Sequence, residues 1–441
     1  MSNLTTTQFD FPKLSKMSVS GGGVYSSSSH MTTTMMMTNH FRYYSTKVYS
    51  WGSGTKGKLG HGIDTTQIIQ PKRIEKLDNC NVDRVSCGTT YSLFARSEPI
   101  EFYGVGDNGS AQLIVGNGKQ PVLEEIERLK CDAFSRDDTV KGRKIRHLSS
   151  GTYHNACIFD DGTTFLWGIG NSGQIGSPVY RRLQFEPYNN TMLKEIGTIK
   201  IECGSTFTLA LTDSGDVYSF GSSVFNELGH DNEFNERVPT RIDNPLLSQS
   251  PIIDISCGFS HSMALSRDNR LFVWGRNQES QCHPIEEGMV SKGSYSRIME
   301  LDKNLFYTPD DLASNATIIQ IQCASFSNYI LTSSGTMYSF GSNDQGQLGV
   351  GKEYKNGIFN HIKEVKGIKR FWAKHKYVIA YDGDEFYGWG SNFDYQLTHE
   401  KRCSFDHPVL LPNIKSILNN SNSGEIIDLS TSMSMVMAIT K

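Results

Sequence analysis

The segment VYSFGSSVFNELGH, residues 217–230, occurs three times in this chain with little change. Its other versions are VYSWGSGTKGKLGH at residues 48–61 and MYSFGSNDQGQLGV at residues 337–350. In each version an apolar run typical of a β-strand ends on an aromatic residue and a glycine, and a turn with a Leu-Gly pair follows. A repeat of this length organises the whole fold, so it must be delimited before single residues are interpreted.

The aromatic-Gly pair, with weaker copies included, recurs seven times, at intervals of 49 to 66 residues. A second half-repeat follows each copy, as in VSCGTTYSLFA at residues 85–95 and ISCGFSHSMALS at residues 255–266. A short Gly-bearing turn such as TDSGD, residues 212–216, then leads into the next aromatic-Gly strand, which is the pattern of a β-hairpin. The predicted anchor glycines are Gly52, Gly104, Gly168, Gly221, Gly275, Gly341 and Gly390.

Seven units of about 50 residues, without a strong helical period, predict an all-β, seven-bladed propeller of four-stranded blades. Residues 425–441 hold only the strands that normally precede an aromatic-Gly strand. We therefore expect them to complete the blade that begins at Lys47, so that the ring closes between N- and C-terminal strands. The repeated leucines are expected to fill the blades from inside: Leu59, Leu113, Leu228, Leu348 and Leu397.

Composition restricts the function. The 441 residues carry a formal net charge of −3 and 20% charged residues, so a strongly basic DNA-binding domain is not expected. No apolar run is long enough to predict a transmembrane segment. The nine cysteines are scattered and odd in number, which favours a reducing compartment over a disulfide framework.

Residues 1–46 differ from residues 47–441, which contain all the repeats. The N-terminal part is rich in Ser and Thr and has Asp10 as its one acid. FRYYST at residues 41–46 resembles a mitochondrial processing site, so we interpret residues 1–46 as a transit peptide. A disordered tail is the alternative interpretation.

The combined pattern resembles the regulator of chromosome condensation repeat family, in which an aromatic-Gly strand, a GQLG-like turn and a CGxxHS-like turn alternate. The resemblance covers residues 47–441 and implies a seven-bladed propeller. The family includes a guanine-nucleotide exchange factor on chromatin, scaffolds and mitochondrial proteins. Because one fold carries several functions here, the resemblance alone does not choose among them.

The resemblance to the exchange factor can be tested at single positions. Its acidic residues precede the His of the CGxxHS-like turn, and here the predicted equivalents are Thr90, Tyr153, Thr206, Ser260, Ser327, Lys374 and Met433. None is acidic, although the loops after the aromatic-Gly strands keep Asp107, Asp344 and Asp394. The chain also lacks a basic N-terminal tail for DNA phosphates. Nuclear exchange is therefore the weaker prediction.

No motif predicts catalysis or a bound cofactor. Cys87, Cys203, Cys257 and Cys323 share one repeat position without a Cys-x-x-Cys pair, so we interpret them as small buried residues and predict no metal site. His154 and His261 fill the repeat's own His position and are expected to be structural. We predict no catalytic residue and classify the chain as a non-enzyme.

One stretch departs from the repeat, IKRFWAKHKY at residues 368–377. Aligning its His375 with His261 places Trp372 at the repeat's Gly and Phe371 at its Cys. A basic aromatic patch could contact a base or an anion, so it is a candidate partner site together with the three Asp loops. A degenerate blade with solvated lysines is the alternative. The patch residues are Arg370, Trp372, Lys374, His375 and Lys376.

The long intervals also predict insertions near residues 121–144 and 283–317, which could be binding loops or tolerated surface loops.

These observations predict a non-catalytic propeller, in the mitochondrial matrix or at the inner membrane, that binds a macromolecular partner. By resemblance the partner is a protein, such as a GTPase or a mitochondrial assembly complex, or an RNA. The alternative is a guanine-nucleotide exchange factor for a small GTPase in the nucleus or cytoplasm.

Overall fold

The computed structural model describes residues 46–115, 120–129, 134, 140–282, 295–351, 359–419 and 425–441. All but the last residue of the predicted transit peptide lie outside the described residues. The described chain forms seven four-stranded antiparallel sheets. The seven-bladed propeller predicted from the repeats is thus confirmed.

The strands follow one another in chain order. The closing blade combines β1 (Lys47–Ser53), β2 (Gln67–Arg73), β27 (Ile426–Thr431) and β28 (Met435–Thr440). Blade 1 contains β3 (Arg84–Cys87), β4 (Tyr91–Ser97), β5 (Ile100–Asp107) and β6 (Val122–Arg128). Blade 2 contains β7 (Ile145–Ser150), β8 (His154–Phe159), β9 (Thr164–Ile169) and β10 (Leu183–Asn189). Blade 3 contains β11 (Thr198–Cys203), β12 (Phe207–Thr212), β13 (Val217–Gly221) and β14 (Glu236–Arg241).

The second half of the ring repeats this plan. Blade 4 contains β15 (Ile252–Cys257), β16 (His261–Ser266), β17 (Leu271–Arg276) and β18 (Tyr295–Leu301). Blade 5 contains β19 (Ile318–Cys323), β20 (Ser327–Thr332), β21 (Met337–Gly341) and β22 (Asn360–His361). Blade 6 contains β23 (Arg370–Lys374), β24 (Tyr377–Tyr381), β25 (Phe386–Ser391) and β26 (Ser404–Leu410). The first strand of each blade, β27 in the closing blade, contacts its neighbours around the ring and is called the inner strand.

Helical segments are short and lie mostly between an outer strand and the next inner strand. The α-helices are Thr191–Glu195, Pro309–Ala313 and Pro412–Asn419. The 3-10 turns are Thr55–Gly57, Glu75–Leu77, Leu247–Gln249 and Lys303–Leu305, of which the first lies in a loop within the closing blade. Among the described residues, no helix has both the length and the apolar character needed to cross a bilayer.

The ring closes through backbone pairing of the two ends of the repeat region. β1 runs antiparallel to β28, with Lys47 opposite Thr440 and Gly52 opposite Met435. The closing sheet has the strand order β2-β1-β28-β27, so two of its strands come from each end. The predicted closure is confirmed, and it pairs the edges that two half-blades would otherwise expose.

The anchor glycines are required by both backbone angle and space. The seven glycines that pair with the start of the second strand have φ between +91° and +116°, a region that favours glycine. A Cβ on Gly275 would lie 2.7 Å from the carbonyl oxygen of Ser260 and from the Cα of His261. In blade 1 this glycine is Gly106, opposite Tyr91, so the predicted anchor Gly104 is wrong by two residues. EFYGVG contains two candidate glycines, and the strand pairing selects the second.

Large side chains hold neighbouring blades together. The four tryptophans before anchor glycines donate their indole N–H to a carbonyl oxygen in the preceding blade, at 2.8–2.9 Å. Trp274, for example, donates to the carbonyl oxygen of Glu227, the residue before Leu228. The repeated leucines are each at most 1% exposed, as predicted: Leu59, Leu113, Leu228, Leu348 and Leu397.

Candidate partner-binding face

One end of the propeller gathers two kinds of loop, and we call it the upper face. The first kind is the upper turn, which joins the inner strand of each blade to its second strand. The second kind is the loop after each aromatic-Gly strand. The two kinds touch: Thr90 in an upper turn donates its hydroxyl to the Asp107 carboxylate at 3.2 Å. Lys376 in another upper turn forms an ion pair with Asp344.

The central channel opens on the upper face in a cavity of about 350 Å³, which we call the mouth. Upper turns from all seven blades line it, so its wall combines residues from Gly88 to Met433. Aromatic and methionine side chains surround the opening. Tyr153, Phe259 and Met433 are exposed by 42%, 42% and 46%, and Phe326 is half-buried. These four residues are called the rim.

The rim was not predicted from the sequence, because its members are more than 50 residues apart and occupy variable positions. Each lies at one of the two tip positions of an upper turn, between the CG-type and HS-type halves of the repeat. The available signal was the presence of large apolar residues at these tip positions in four of the seven repeats. Clustered exposed apolar side chains of this kind mark interaction sites in soluble proteins.

The sequence of blade 6 aligns with the other repeats in a different register from the one predicted. Tyr377 pairs with Gly390, as His261 pairs with Gly275 in blade 4. The alignment of His375 with His261 is therefore wrong by two residues. A signal was present, because AKHKY matches CGTTY of blade 1, where Tyr91 occupies the same position.

The corrected register changes which residue replaces which. Lys374 occupies the place of Gly258, Ala373 that of Cys257, and Trp372 that of Ser256. Three predicted pre-His residues are also corrected, by two residues in blade 6 and by one residue in blade 5 and the closing blade, because Phe326, Lys376 and Ser434 directly precede the second strands of their blades. None of these three is acidic.

Trp372 is a packing residue rather than an exposed one. It is 7% exposed and packs in the apolar cluster between blade 6 and the closing blade. The serine at its position in blade 4, Ser256, accepts a hydrogen bond from the backbone N–H of Cys323 at 2.8 Å. A tryptophan cannot accept such a bond, so Trp372 contributes apolar contact where other blades contribute a polar link.

Lys374 reaches across the mouth to the opposite blades. Its Nζ donates to the carbonyl oxygen of Ser150 at 2.9 Å and to that of Cys87 at 3.3 Å. One side chain of blade 6 thus links blades 1 and 2. Burial lowers the pKa of the Lys374 amine below its ordinary value.

The other half of the mouth is held by backbone hydrogen bonds. The backbone N–H of Ser205 donates to the carbonyl oxygen of Phe259 at 3.3 Å. In the same way the N–H of Phe259 donates to the carbonyl oxygen of Ser325 at 3.2 Å, and the N–H of Ser325 donates to that of His375 at 3.4 Å. These bonds connect blades 3 to 6 in order. The upper turns are therefore ordered before any partner binds, which lowers the entropic cost of binding.

The three predicted acidic loops share the upper face but do not form one cluster. Asp107 pairs with Lys56 at 2.6 Å, and Asp344 pairs with Lys376. Burial raises the pKa of each carboxyl, yet the neighbouring lysine and hydrogen bonds outweigh it, so both pKa values are lowered. Asp394 lies in the corresponding loop of blade 6, where its backbone N–H donates to Gln396.

Below the mouth lies a second cavity of about 250 Å³, whose lining includes charged groups and Lys374 itself. Lys200 lies 2.6 Å from Asp254 and 3.1 Å from Glu202. Burial raises the pKa of Glu202, but Lys200 and His147 outweigh it and hold that pKa at about 2. Arg370, which is exposed, lies over the Trp372 ring at 4.9 Å in this lower region. The predicted patch is thus divided between channel, mouth and turn tip.

The repeated histidines and cysteines have structural positions. His154 and His261 are fully buried and contact Thr208 and Asn328 of the next blade, each at 2.9 Å. Burial lowers their pKa values to about 3 and about 4. Burial also raises the pKa of the Cys87 thiol to about 11. Within the described ranges, no three His, Cys, Asp or Glu side chains are grouped to hold a metal ion.

The described parts of the two predicted insertions belong to the blades. Val122–Arg128 is the outer strand of blade 1, and Tyr295–Leu301 is the outer strand of blade 4. Phe134 packs on Phe102 at a centroid distance of 4.6 Å. Residues 130–133, 135–139 and 283–294 lie outside the described residues.

Comparison with known proteins agrees with this architecture. A model described as an RCC1-like domain matches residues 47–438. An RCC1 repeat-containing protein of Dictyostelium discoideum is 47% identical over 429 residues, with 90% of this chain and 86% of that protein covered. Human WBSCR16 superimposes with a TM-score of 0.74 at 18% identity, covering 90% of this chain and 100% of that one. Prp20p of Saccharomyces cerevisiae gives 0.73 at 19% identity, covering 90% and 91%.

Proposed function

This chain belongs to the RCC1-like domain family, and on that premise we propose that it is a non-catalytic mitochondrial propeller that holds a macromolecular partner on its upper face. One observation carries the proposal: seven ordered upper turns surround a cavity whose rim exposes aromatic and methionine side chains. Apolar side chains on a rigid, concave surface are typical of binding sites.

The chemistry of the upper face supports binding over catalysis. Its carboxylates Asp107 and Asp344 are in ion pairs, and burial holds the pKa of His375 at about 4, so that imidazole is neutral at pH 7. A general base or an activated nucleophile needs a partner group within hydrogen-bond reach and a suitable pKa. The described upper face offers no such pair.

A protein is the partner class that we propose first. The fold neighbour Prp20p was described together with its binding to Gsp1p and histones. Its sequence identity to this chain is only 19%, so it offers a precedent for protein binding by the fold and no residue roles. For this chain we propose a mitochondrial assembly complex or a GTPase, with RNA as the second class.

Guanine-nucleotide exchange is the competing function. The loops of Asp107, Asp344 and Asp394 share the upper face, which exchange by these residues would require. Two of the three carboxylates are already paired with lysines, so they are less available to a GTPase. We expect no acceleration of nucleotide release when purified chain is added to candidate GTPases. Clear acceleration that Asp344→Asn removes would favour exchange instead.

The mitochondrial location rests on the composition of residues 1–46. A fusion of residues 1–47 to a fluorescent reporter should enter mitochondria, and the mature N-terminus should lie near Ser45. A reporter that stays diffuse in the cytosol, or a nuclear full-length protein with intact Met1, would contradict this location.

Affinity capture from purified mitochondria tests the binding function. Phe259→Ser and Met433→Ser should each lower partner recovery about tenfold, as loss of an exposed anchor residue does. Ile319→Ser is the matched control, because Ile319 is 52% exposed at the opposite end of an inner strand. Equal recovery with all three variants would show that the upper face is not the binding face. Parallel capture with nuclease separates protein from RNA.

A further inference from the structure

Lys374 is the single Lys, Arg, Asp or Glu among the residues that line the mouth. The other lining groups are glycines, one alanine, hydroxyls, thiols, the rim side chains and His375. Burial is the main reason that the pKa of His375 falls to about 4, so this imidazole is neutral at pH 7. A single ammonium group therefore sets the electrostatic character of an otherwise uncharged cavity of about 350 Å³.

The ammonium group of Lys374 has hydrogen-bond acceptors but no counter-ion. Two of its three N–H bonds go to the carbonyl oxygens of Ser150 and Cys87, which are uncharged. Within the described residues it forms no ion pair. Other lysines of the propeller are paired, such as Lys376 with Asp344 and Lys200 with Asp254.

An unpaired cation in a buried position is costly, and an anion relieves that cost. The lowered pKa of Lys374 reflects this, since burial disfavours the charged amine. One N–H remains to be donated. Lys374 lines both the mouth and the lower cavity, where the Glu202 carboxylate partly offsets the effect of burial on its pKa, and the mouth is the one of these two cavities whose lining contains no carboxylate. The site therefore suits a ligand that brings one negative charge into an uncharged cavity.

A second cation, Arg276, lies beside the rim. The Arg276 guanidinium lies over the rings of Phe326 and Phe225 at 4.7 and 5.4 Å. It forms no ion pair within the described part of the chain, and its Nε is buried without a hydrogen-bond partner. Phe326 lines the mouth, so Arg276 extends the cationic character from the cavity to the surface beside it.

We propose that the mouth binds the carboxylate of an acidic side chain of the partner, with Lys374 as its counter-ion and the rim packing on flanking apolar residues. This inference rests on the proposed function, because it names what the partner inserts. One free N–H and the absence of arginine among the lining residues favour a carboxylate over a phosphate, which is best held by several donors. Arg276 is placed to meet a second acidic residue of the same segment.

The direct test uses the full chain labelled with ¹³C at methionine methyl groups. Met433 reports on the rim, and Met437, which is fully buried in the closing blade, is the internal reference. The probes are the capped peptides Leu-Glu-Leu, Leu-Gln-Leu and Leu-phosphoserine-Leu. The Glu peptide should shift the Met433 signal saturably, and the Gln peptide should bind at least about tenfold more weakly.

Substitutions at two lysines of one turn sharpen this test. Lys374→Met should remove the preference for Glu over Gln, and Lys374→Arg should keep it, because arginine preserves the charge. Lys376→Met is the matched control, because Lys376 already pairs with Asp344. Equal binding of the Glu and Gln peptides, tighter binding of the phosphoserine peptide, or no saturable shift would each overturn the proposal. The peptide comparison uses the unsubstituted chain, so it stands even if Lys374→Met fails to fold.

The same variants separate this inference from the proposed function. Capture that is lost with Phe259→Ser but kept with Lys374→Met would overturn the carboxylate site and leave partner binding on the upper face intact. Capture kept with both variants would overturn the upper-face function itself. Loss with both, together with the Glu preference of the peptides, is the expected result.

Discussion

Blades 4 and 6 pair their strands alike but differ in their upper turns. Blade 4 has Gly258 directly after its inner strand, where a Cβ would lie 2.1 Å from Cε1 of His261. Blade 6 has Lys374 at that place. Its next residue, His375, has a left-handed φ of +58°, unlike the described tip residues of the other upper turns.

The difference shows which positions are constrained by neighbouring atoms. Gly275 and Gly390 both have a positive φ, and at both positions the start of the paired second strand leaves no room for a Cβ. The upper turn of blade 4 is constrained both by its own second strand and by the next blade, since a Cβ on Gly258 would also lie 2.6 Å from the carbonyl oxygen of Ala324. In blade 6 the second strand begins with Tyr377, whose hydroxyl donates to the carbonyl oxygen of Met435 in the closing blade, and the turn carries Lys374 followed by His375 at a positive φ. The strand pairing and its anchor glycines, which we call the frame, are thus repeated from blade to blade, whereas the residues lining the mouth vary.

The largest expected effect tests the shared frame. Gly275→Ala and Gly390→Ala should each cost about 4 kcal/mol or more of unfolding free energy, since strain at positive φ adds to contact with backbone. The added Cβ would lie 2.7 and 2.3 Å from carbonyl oxygens of the neighbouring strand. Denaturant unfolding measures both variants, with Gly62→Ala as a control where a Cβ meets open space. A large loss in one blade only would contradict a common frame.

The next effect compares Trp372 with Ser256, its equivalent in blade 4. Trp372→Ser should cost about 3–5 kcal/mol, because a large buried aromatic is lost. Ser256→Ala should cost about 1 kcal/mol, the value of one hydrogen bond. Unfolding curves for both variants provide the measurement. If Trp372→Ser left stability unchanged, the packing role assigned to Trp372 would be wrong.

Exchanging the upper-turn residues of blades 4 and 6 should lower stability by different amounts in the two blades. Gly258→Lys should cost at least about 2 kcal/mol, since both the His261 ring and the backbone carbonyl of Ala324 must move to admit any side chain. Lys374→Gly should change stability by less than about 1 kcal/mol, because the lost amine hydrogen bonds are offset by relief of a buried charge. Thermal melting of the two variants gives the comparison. Equal losses would mean that the two turns are constrained alike.

The pH dependence tests the histidine that begins the second strand of blade 4, a position that Tyr377 holds in blade 6. Burial lowers the pKa of His261 from 6.5 in the unfolded chain to about 4. The unfolded chain therefore takes up the proton first, and stability present above pH 6.5 is lost as pH falls toward 4. His261→Tyr, which copies Tyr377 of blade 6, should make the fall between pH 6 and 5 shallower by about 1 kcal/mol per pH unit. An unchanged slope would show that His261 does not contribute.

The smallest effect concerns the tip of blade 6. Lys376 and Asp344 form an ion pair with side chains 28% and 49% exposed. Such exposed pairs contribute at most about 1 kcal/mol and weaken with salt. Lys376→Ala should therefore change unfolding free energy by no more than this, and by less at high salt. A larger, salt-independent loss would indicate a role beyond the ion pair.

Much of the frame could be predicted because it is encoded locally. Each repeat carries its own strand pattern, turn glycines and plug leucine, and seven copies predict seven blades. The closing pair was also predictable, since residues 425–441 lack only the strands supplied by Lys47–Ser53 and its neighbour. The predicted register was wrong where a short stretch contained two residues that both fit the repeat pattern. EFYGVG offers two glycines, and WAKHKY offers a histidine two residues before the position that pairs.

The binding face was decided by the tertiary structure. Cys87, Ser150 and Lys374 belong to three separate repeats, and only the closed ring places their atoms within hydrogen-bond distance. The sequence identified Lys374 and Lys376 as two cations of one patch. The ring divides them, because Lys376 forms an ion pair with Asp344, whereas Lys374 lies between the mouth, whose lining has no carboxylate, and the lower cavity. Sequence periodicity determines which strands form, whereas the charge balance of a site depends on distances between blades, which no single repeat contains.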